Sequence, residues 1–400
     1  MKHMIPCFVA RQVLSPPIEG HHIASKRIIE AALQAGIAVH IITIEKDVNI
    51  TLAAKDWSVV KLRHHQDRIG FLPSFVSVLE ETQASFKIVN QIKSYNYDLV
   101  HVLNLTKEIY TLSHRLMRVK KPLLLHFFHS SYVLADDVFF VRNLALRFGL
   151  FSRLVDSHAL TVNQSLFNFL IKELDVDPER VHYAPYPVNV EIFKPLEDKY
   201  AIRERYGLPS DHHIIAYVGS LHPARGLSIL IRAFHHILSR FPKTILYISH
   251  PSHRNEKIYE TSIVESVKEL GIHKNVLIAG LSSHVEELYN MADIVVLPFE
   301  RPYWIDPPLV LLEAMSSGAA VVTTSVGAIN DVVKDRENAV ITRAGDPRIL
   351  AENIIELIKD SNMRHKMGQK ARETIIKDYS YEVVGNKLLE IYDSILNNSS

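Results

Sequence analysis

Ile214-Ile215-Ala216-Tyr217-Val218-Gly219-Ser220-Leu221-His222-Pro223-Ala224-Arg225-Gly226 is the stretch whose reading decides the fold. Its first five residues are a short apolar run that reads as a buried strand, and a glycine-bounded loop follows. From Leu227 to Arg240 the apolar positions recur at helical spacing, and Thr244 to Ser249 is again a strand. Strand, glycine loop, helix, strand is the opening of a βαβ unit, whose crossover is nearly always right-handed. Glycines in such a loop permit close backbone approach, and the helix start that follows favours an anion. Arg225 adds a permanently charged, bidentate donor suited to phosphate. A plain strand-to-helix turn with a solvent-facing arginine fits the same residues, so this loop alone leaves both readings open.

The alternation continues downstream: helix Tyr259 to Leu270, strand Val276 to Ala279, helix Val285 to Met291, strand Ile294 to Leu297, helix Leu309 to Ser317, strand Ala320 to Thr323. Upstream, Ile5 to Ala10 reads as a strand. The loop Ser15-Pro16-Pro17-Ile18-Glu19-Gly20 and a helix from Ile23 to Ala35 follow it, then Gly36 as the stop and a strand from Ala38 to Ile44. Leu99 to Val102 and Leu123 to Phe128 are further strands, with helical patterns at Phe75 to Ser94 and Val141 to Asp156. Pro185, Pro187 and Pro195 break the pattern between Val181 and Pro195, which places a domain boundary there. Short apolar β-branched runs between amphipathic helices mark parallel strands covered on both faces, and such sheets bind ligands beyond the carboxyl ends of their strands. The expected architecture is therefore α/β, with two Rossmann-like, doubly wound parallel-sheet domains, as the length of 400 residues also suggests.

Composition narrows the function classes. Lys plus Arg number 45 and Asp plus Glu 44, a formal net charge of +1, so there is no global pull toward nucleic acid. Cys7 is the only cysteine, which excludes an intrachain disulfide and fits a reducing compartment. No apolar run approaches the ~20 residues that span a bilayer, and Met1 to Arg11 lacks a signal-peptide pattern. A cytoplasmic location is expected. The 22 histidines include the adjacent pairs His21-His22, His64-His65, His212-His213 and His235-His236. Adjacent side chains diverge on helix or strand and no cysteine or acid cluster completes a tetrahedral set, so no metal site is expected.

A second chemical element is Asp306-Pro307-Pro308-Leu309-Val310-Leu311-Leu312-Glu313-Ala314-Met315. Asp306 is suited to cap a helix with Pro307 in its first position. Seven residues at helical spacing would set Asp306 and Glu313 on one side, about 10 Å apart along the axis. The plain readings are a structural cap and a surface acid. Glu313 nevertheless stands in an almost wholly apolar segment, where a charge needs a partner.

These motifs carry a resemblance. Tyr217-Val218-Gly219-Ser220-Leu221 through Arg225-Gly226, with Leu230-Ile231-x-Ala233-Phe234, resembles the donor-domain entry of retaining family 4 glycosyltransferases (glycosyl transferases group 1). Leu309 to Met315 with Gly318-Ala319-Ala320-Val321-Val322 and Gly327-Ala328-Ile329-Asn330-Asp331, and the ending Leu350-Ala351 to Tyr392 with Ala371-Arg372-Glu373, are similar to the same family. Pro16 to Gly20 is similar to its N-terminal glycine loop. The resemblance implies a GT-B fold with the two domains facing across a cleft. Residues 1–195 would be the acceptor-side domain and 196–378 the nucleotide-sugar donor domain, with 379–400 a C-terminal helix crossing back to the N-terminal domain. It also implies a retaining, hexosyltransferase-type transfer from a nucleotide diphosphate sugar to a carbohydrate, lipid-linked or small-molecule hydroxyl. The donor is a substrate, no cofactor or essential metal is needed, and the partners include a peripheral membrane contact but no nucleic acid.

By the same resemblance Gly219, Ser220 and Arg225 hold the diphosphate, Glu313 the ribose, and Asp306 with Pro307, Pro308 and Leu309 the transferred sugar; Gly20 and Leu281 complete the substrate-binding set. Arg225, Asp306 and His126 are the expected catalytic residues, His126 being preferred to His129 in Leu125-His126-Phe127-Phe128-His129-Ser130 as the acceptor-side histidine. A hydrogen-bonded strand-end histidine is the plain reading of either. The chain departs from the family at three places. Ser220 and Arg225 stand where an arginine and a lysine are usual, the first glutamate of Glu-x7-Glu would fall on Ile305, and Pro185-Tyr186-Pro187-Val188-Asn189 replaces Pro-Asn-Gly-Val-Asp. Two rival functions share these features: a nucleotide-sugar epimerase of the same fold, and a catalytically degenerate binding or assembly subunit.

Overall fold

In the computed structural model, residues 4–11, 20–44, 57–59, 87–90, 92–94, 97–103, 121–127, 157–173, 175–251, 257–302 and 307–398 are described. The chain divides into two units, Met1–Pro187 with Tyr381–Ser400, and Val188–Ser380. Among the described residues no helix is long and apolar enough to cross a membrane.

The first unit is built on seven strands: β1 (Pro6–Arg11), β2 (His40–Ile44), β3 (Trp57–Val59), β4 (Leu99–Leu103), β5 (Leu123–Phe127), β6 (His158–Thr161) and β7 (Val181–Tyr183). They run parallel in the order β3-β2-β1-β4-β5-β6-β7, so the winding reverses between β1 and β4. Every residue of β4 is buried, as expected of a strand covered on both faces. Ile88, Val89 and Ile92 from helical residues 87–90 and 92–94 pack on Cys7, Val9, Val100, Val102 and Leu125. Helix α1 (Gly20–Gln34) comes after β1 in the sequence, and helix α2 (Gln164–Lys172), capped by Asn163, precedes β7.

The second unit has strands β8 (His213–Val218), β9 (Thr244–Ser249), β10 (Val276–Ala279), β11 (Ile294–Leu297), β12 (Val321–Thr324) and β13 (Val340–Thr342), parallel in the order β10-β9-β8-β11-β12-β13. Its helices are α3 (Lys199–Arg205), α4 (Leu227–Arg240), α5 (Lys257–Glu269), α6 (Val285–Met291), α7 (Leu309–Ser316), α8 (Pro347–Lys359) and α9 (Ser361–Tyr379). The apolar stripe of α4, Leu227, Leu230, Ile231, Phe234 and Ile237, is fully buried against Ile215, Tyr217, Leu246 and Ile248. Each such side chain contributes roughly 1.5–3 kcal/mol by leaving water. A buried ion pair fastens β8 to β11: Arg203 donates to Asp293 Oδ2 at 2.8 Å, and the same oxygen accepts from Ile214 N at 2.9 Å.

The last helix, α10 (Tyr381–Asn398), groups with the first unit. It lies along α1 at Gly385, where an added Cβ would stand 2.4 Å from Ala31 O, and Tyr381 Oη donates to Glu30 at 2.7 Å. The unit boundary falls at Pro187/Val188, before Pro195, because the following segment is tied into the second unit. Val188 N donates to Tyr379 O at 2.8 Å, and Arg372 donates to Phe193 O and Ser316 O at 3.0 and 2.7 Å.

Two expectations need correction. Val181–Tyr183 is a strand, although it opens the proline-broken stretch; among the described residues it is a three-residue edge strand paired only with β6, so the prolines after it interrupt no ladder there. Helix α7 begins at Leu309, where its expected span begins, but its N-cap is Pro308, extended at ψ 133°, in place of the expected Asp306 cap with Pro307 in the first position. A residue before proline is driven out of the helical region, so consecutive prolines delay the helix, and the seven-step spacing from Asp306 to Glu313 is not helical throughout. The expected helix at Val141 to Asp156 lies outside the described residues.

Candidate functional site

Parallel strands end on one edge, and a crevice opens there where the winding reverses. In the second unit that point lies between β8 and β11. Leaving β8, Gly219 takes φ +147° and donates its N–H to Ser249 O at 3.0 Å, while Tyr217 Oη donates to Ser220 O at 2.8 Å. His222 then caps a single turn, Pro223–Arg225, its Nδ1 accepting from Ala224 N at 3.2 Å. Gly226, at φ +71°, starts α4 against the end of β11, and a Cβ there would stand 1.8 Å from Pro298 O. Only glycine fits both that backbone region and that approach.

The loop after β11 grips the first one. Glu300 N donates to Ala224 O at 2.9 Å, and the Arg225 guanidinium lies 5.2 Å from the Phe299 ring centroid. Thr323 and Thr324 of β12 donate their hydroxyls to Leu297 O and Phe299 O at 2.9 and 2.6 Å. Gly219, Ser220 and Arg225 therefore share one cross-braced edge, and all three are half-buried. His222 is held below the usual imidazole range by burial first and then by the charges of Arg301 and Arg225. Arg301, exposed in Pro298-Phe299-Glu300-Arg301-Pro302, thus places a second guanidinium close to this edge. Sequence reasoning missed Arg301 and Phe299; their position just past β11, at the winding reversal, was the available signal.

Glu313 is buried, 6% exposed, on α7 among Leu309, Leu311, Leu312, Ala314 and Met315. The partner its surroundings call for is Tyr289 of α6, whose hydroxyl donates to Glu313 Oε2 at 2.7 Å. Pro307, Pro308 and Leu309 are buried at the start of α7. Asp306 lies outside the described residues. Leu281, after β10, is 59% exposed.

In the first unit, Gly20 opens α1 and His126 lies on β5; His129 is outside the described residues. His126 is buried and takes part in a chain of rings. Its Nδ1 is 3.1 Å from His101 Nε2 on β4, and His101 Nδ1 is 2.7 Å from Tyr392 Oη on α10. Burial pushes His101 down to about 3 and His126 well below the ordinary value, with the neighbouring His101 adding to the latter shift; both are neutral at pH 7. A histidine so held does not exchange protons near neutrality. A second pair, His158 and His182 on β6 and β7, stands 3.0 Å apart.

The family model for glycosyl transferases group 1 matches residues 198–374, the span that carries the whole β8–β11 edge. Residues 198–374 are a glycosyl transferases group 1 domain. The chain is 26% identical over 233 residues to N-acetyl-alpha-D-glucosaminyl L-malate synthase of Bacillus anthracis, covering 58% of this chain and 54% of that one. It is 28% identical over 252 residues to D-inositol 3-phosphate glycosyltransferase of Corynebacterium efficiens, covering 60% and 57%. The chain thus spans little more than half the length of these relatives. Among solved structures, a glycosyltransferase from Rickettsia africae aligns over 100% of both chains with a TM-score of 0.78 at 19% identity. Anabaena HepE in complex with UDP aligns over 98% of this chain and 100% of its own, also with a TM-score of 0.78, at 17% identity. The fold is GT-B: a group 1 domain and a second Rossmann-like parallel-sheet unit in one chain.

Proposed function

We propose that this chain is a glycosyltransferase that moves a sugar from a nucleotide diphosphate sugar to a hydroxyl acceptor, with retention of anomeric configuration. The observation that carries the reading is the cross-braced edge of the group 1 domain, where Gly219, Ser220 and Arg225 sit at the winding reversal with Arg301 close by. Transfer requires stabilisation of a departing diphosphate, which preorganised N–H groups and guanidinium charges supply without reorganising. Arg225 is held by Phe299, and Arg301 provides the charge that Ser220 does not. In this reading Glu313, oriented by Tyr289, accepts from the ribose hydroxyls and is not a nucleophile. Asp306, with the Pro307 to Leu309 backbone, meets the transferred sugar, and Gly20 and Leu281 contact the substrates. His126, neutral by burial, takes a hydrogen-bonding part on the acceptor side.

Retention is proposed from the likeness to retaining family 4 enzymes, in which the leaving phosphate itself helps to deprotonate the acceptor. No resident cofactor enters the scheme. The test is a thermal-shift screen of nucleotide sugars, beginning with the uridine series because HepE was crystallised with UDP, followed by NMR of the product anomer. One donor should raise the melting temperature by mass action and give a product of unchanged configuration. An inverted product would overturn retention. Donor isomerisation without an acceptor would replace transfer by epimerisation, and tight nucleotide binding without turnover over a broad acceptor panel would leave a binding subunit.

A further inference from the structure

Arg372 lies on α9, an element that carries none of the donor-site residues, yet its guanidinium is committed to main-chain oxygens beside one of them. It donates to Ser316 O at 2.7 Å, to Phe193 O at 3.0 Å and to Val190 O at 3.3 Å. Ser316 is the last residue of α7. In that final turn the carbonyls of Glu313, Ala314 and Met315 accept from the N–H groups of Ser317, Ala319 and Gly318, and Arg372 supplies the partner of the fourth carbonyl. Helix ends leave such oxygens to be satisfied from outside the ladder, and a cation placed there also complements the helix dipole. Glu313 stands three residues before Ser316, about 4.5 Å along the axis.

A second route reaches the Glu313 side chain through its hydrogen-bond donor. Phe193 O accepts from Ser316 Oγ at 2.6 Å as well as from Arg372, which ties Phe193 to α7 and α9 together. The Phe193 ring faces that of Tyr289, with centroids 6.2 Å apart and planes at 55°. Tyr289 in turn donates to Glu313 Oε2 at 2.7 Å. The two helices also meet at backbone level: a Cβ at Gly368 of α9 would stand 2.1 Å from Gly318 O, just past α7. The backbone of Glu313 and the ring that orients its carboxylate are thus both referred to one guanidinium, a planar and permanently charged fork.

We propose that Arg372 is a positioning residue for the donor site: it fixes the end of α7 and, through Phe193, the ring of Tyr289, and so holds the Glu313 carboxylate where a nucleotide ribose meets it. The meeting with ribose rests on the glycosyltransferase reading; the hold of Arg372 on the Tyr289–Glu313 pair does not. Without the guanidinium the final turn of α7, which begins at Glu313, loses its outer tie.

The test has two readouts on the full chain. The first, without ligand, is the 13Cζ signal of Tyr289, assigned by its loss in Tyr289→Phe. Arg372→Gln should move that signal in the same direction as Glu313→Gln, which gives the phenol a weaker acceptor, whereas Gly207→Ala, a change outside these contacts, should leave it in place. An unmoved signal in folded Arg372→Gln, or an equal movement in Gly207→Ala, would overturn the proposal. The second is calorimetric affinity for the tightest binder among UDP, GDP and ADP. Arg372→Gln should weaken it about three- to tenfold in the native background and less than about twofold in Glu313→Gln, because the two residues act as one unit. Equal losses in both backgrounds would show that Arg372 acts apart from Glu313 and would sink the idea. If Glu313→Gln binds as tightly as the native chain, or none of the three binds, the ribose reading fails and the Tyr289 signal alone decides the role of Arg372. Should Arg372→Gln not fold, Arg372→Lys, which keeps the charge but not the fork, is read by the same two measurements.

Discussion

Gly226→Ala tests the cross-braced edge without touching any charged group. Two costs combine. A non-glycine residue at φ +71° pays roughly 1–2 kcal/mol for the left-handed conformation. The added methyl would stand 1.8 Å from Pro298 O and 2.9 Å from its carbon, both backbone atoms, so the loops after β8 and β11 must separate. Overpacking of that kind costs about 1–3 kcal/mol. Separation also strains the Glu300 N to Ala224 O bond, worth about 0.5–1.5 kcal/mol. The expected loss is about 3–6 kcal/mol, read from urea unfolding curves at constant m-value. Gly207→Ala is the control: Gly207 has φ +65° with nothing within 4 Å of the added Cβ, so only the conformational part remains, about 1–2 kcal/mol. Equal losses in the two variants would refute the close approach of the loops and with it the braced edge. Nucleotide affinity should fall in Gly226→Ala and stay level in Gly207→Ala.

Arg225→Ala should lower turnover about 100- to 1000-fold while its unfolding midpoint moves little, since the lost contact with Phe299 is worth about 0.5–1 kcal/mol; steady-state kinetics beside thermal melts check both. Glu313→Gln keeps an oxygen for Tyr289 and should fold, yet weaken nucleotide binding about tenfold in calorimetry, a loss of roughly 1.4 kcal/mol; a glycosyl adduct on Glu313 in intact-protein mass spectra would overturn its assignment. Burial alone would raise the Asp293 carboxyl, but Arg203, the Ile214 N–H and Lys199 outweigh it and hold Asp293 below its ordinary range. Its stabilisation is therefore complete above the unfolded value of about 3.9 and is lost as pH falls through the lower folded value. Stability measured from pH 7 to 3 should drop at the acid end, and less steeply in Asp293→Asn. Arg203→Met, which strands the buried carboxylate, should cost about 3–5 kcal/mol at pH 7.

The strands that sit centrally in either sheet were legible because burial on both faces leaves continuous apolar runs. Thr244–Ser249 and Ile294–Leu297 match their expected bounds, and Leu99–Leu103 extends its expected strand by one residue; Val276–Ala279, an edge strand with Leu277 and Ile278 exposed, was legible from its apolar run alone. Trp57–Val59, Val181–Tyr183 and Val340–Thr342 were missed because three residues at a sheet edge carry too little pattern to register. His158–Thr161, four residues beginning with a histidine, was missed for a similar reason. The Gly219 to Gly226 loop was legible as a glycine-bounded strand-to-helix turn, since its glycines serve backbone geometry that periodicity exposes. What pins it was not: Pro298, Phe299 and Glu300 meet it across more than seventy positions of chain, and no local pattern encodes that approach. The same holds for Glu313, whose need for a partner was evident from its apolar neighbours while Tyr289 was not. His126 stood out by its place near a strand end; that it is joined to Tyr392 through His101 depends on register between β4 and β5 and on where α10 packs.

The central claim is that a nucleotide diphosphate sugar places its phosphates at the edge between β8 and β11. A crystal structure with a bound nucleoside diphosphate, chosen from the thermal-shift screen, tests it most directly. The account predicts phosphate oxygens within hydrogen-bond distance of the Gly219–Ser220 backbone and the Arg225 guanidinium, with a ribose hydroxyl at Glu313. A nucleotide bound elsewhere in the chain, with Arg225 still packed on Phe299 and touching no phosphate, would contradict it.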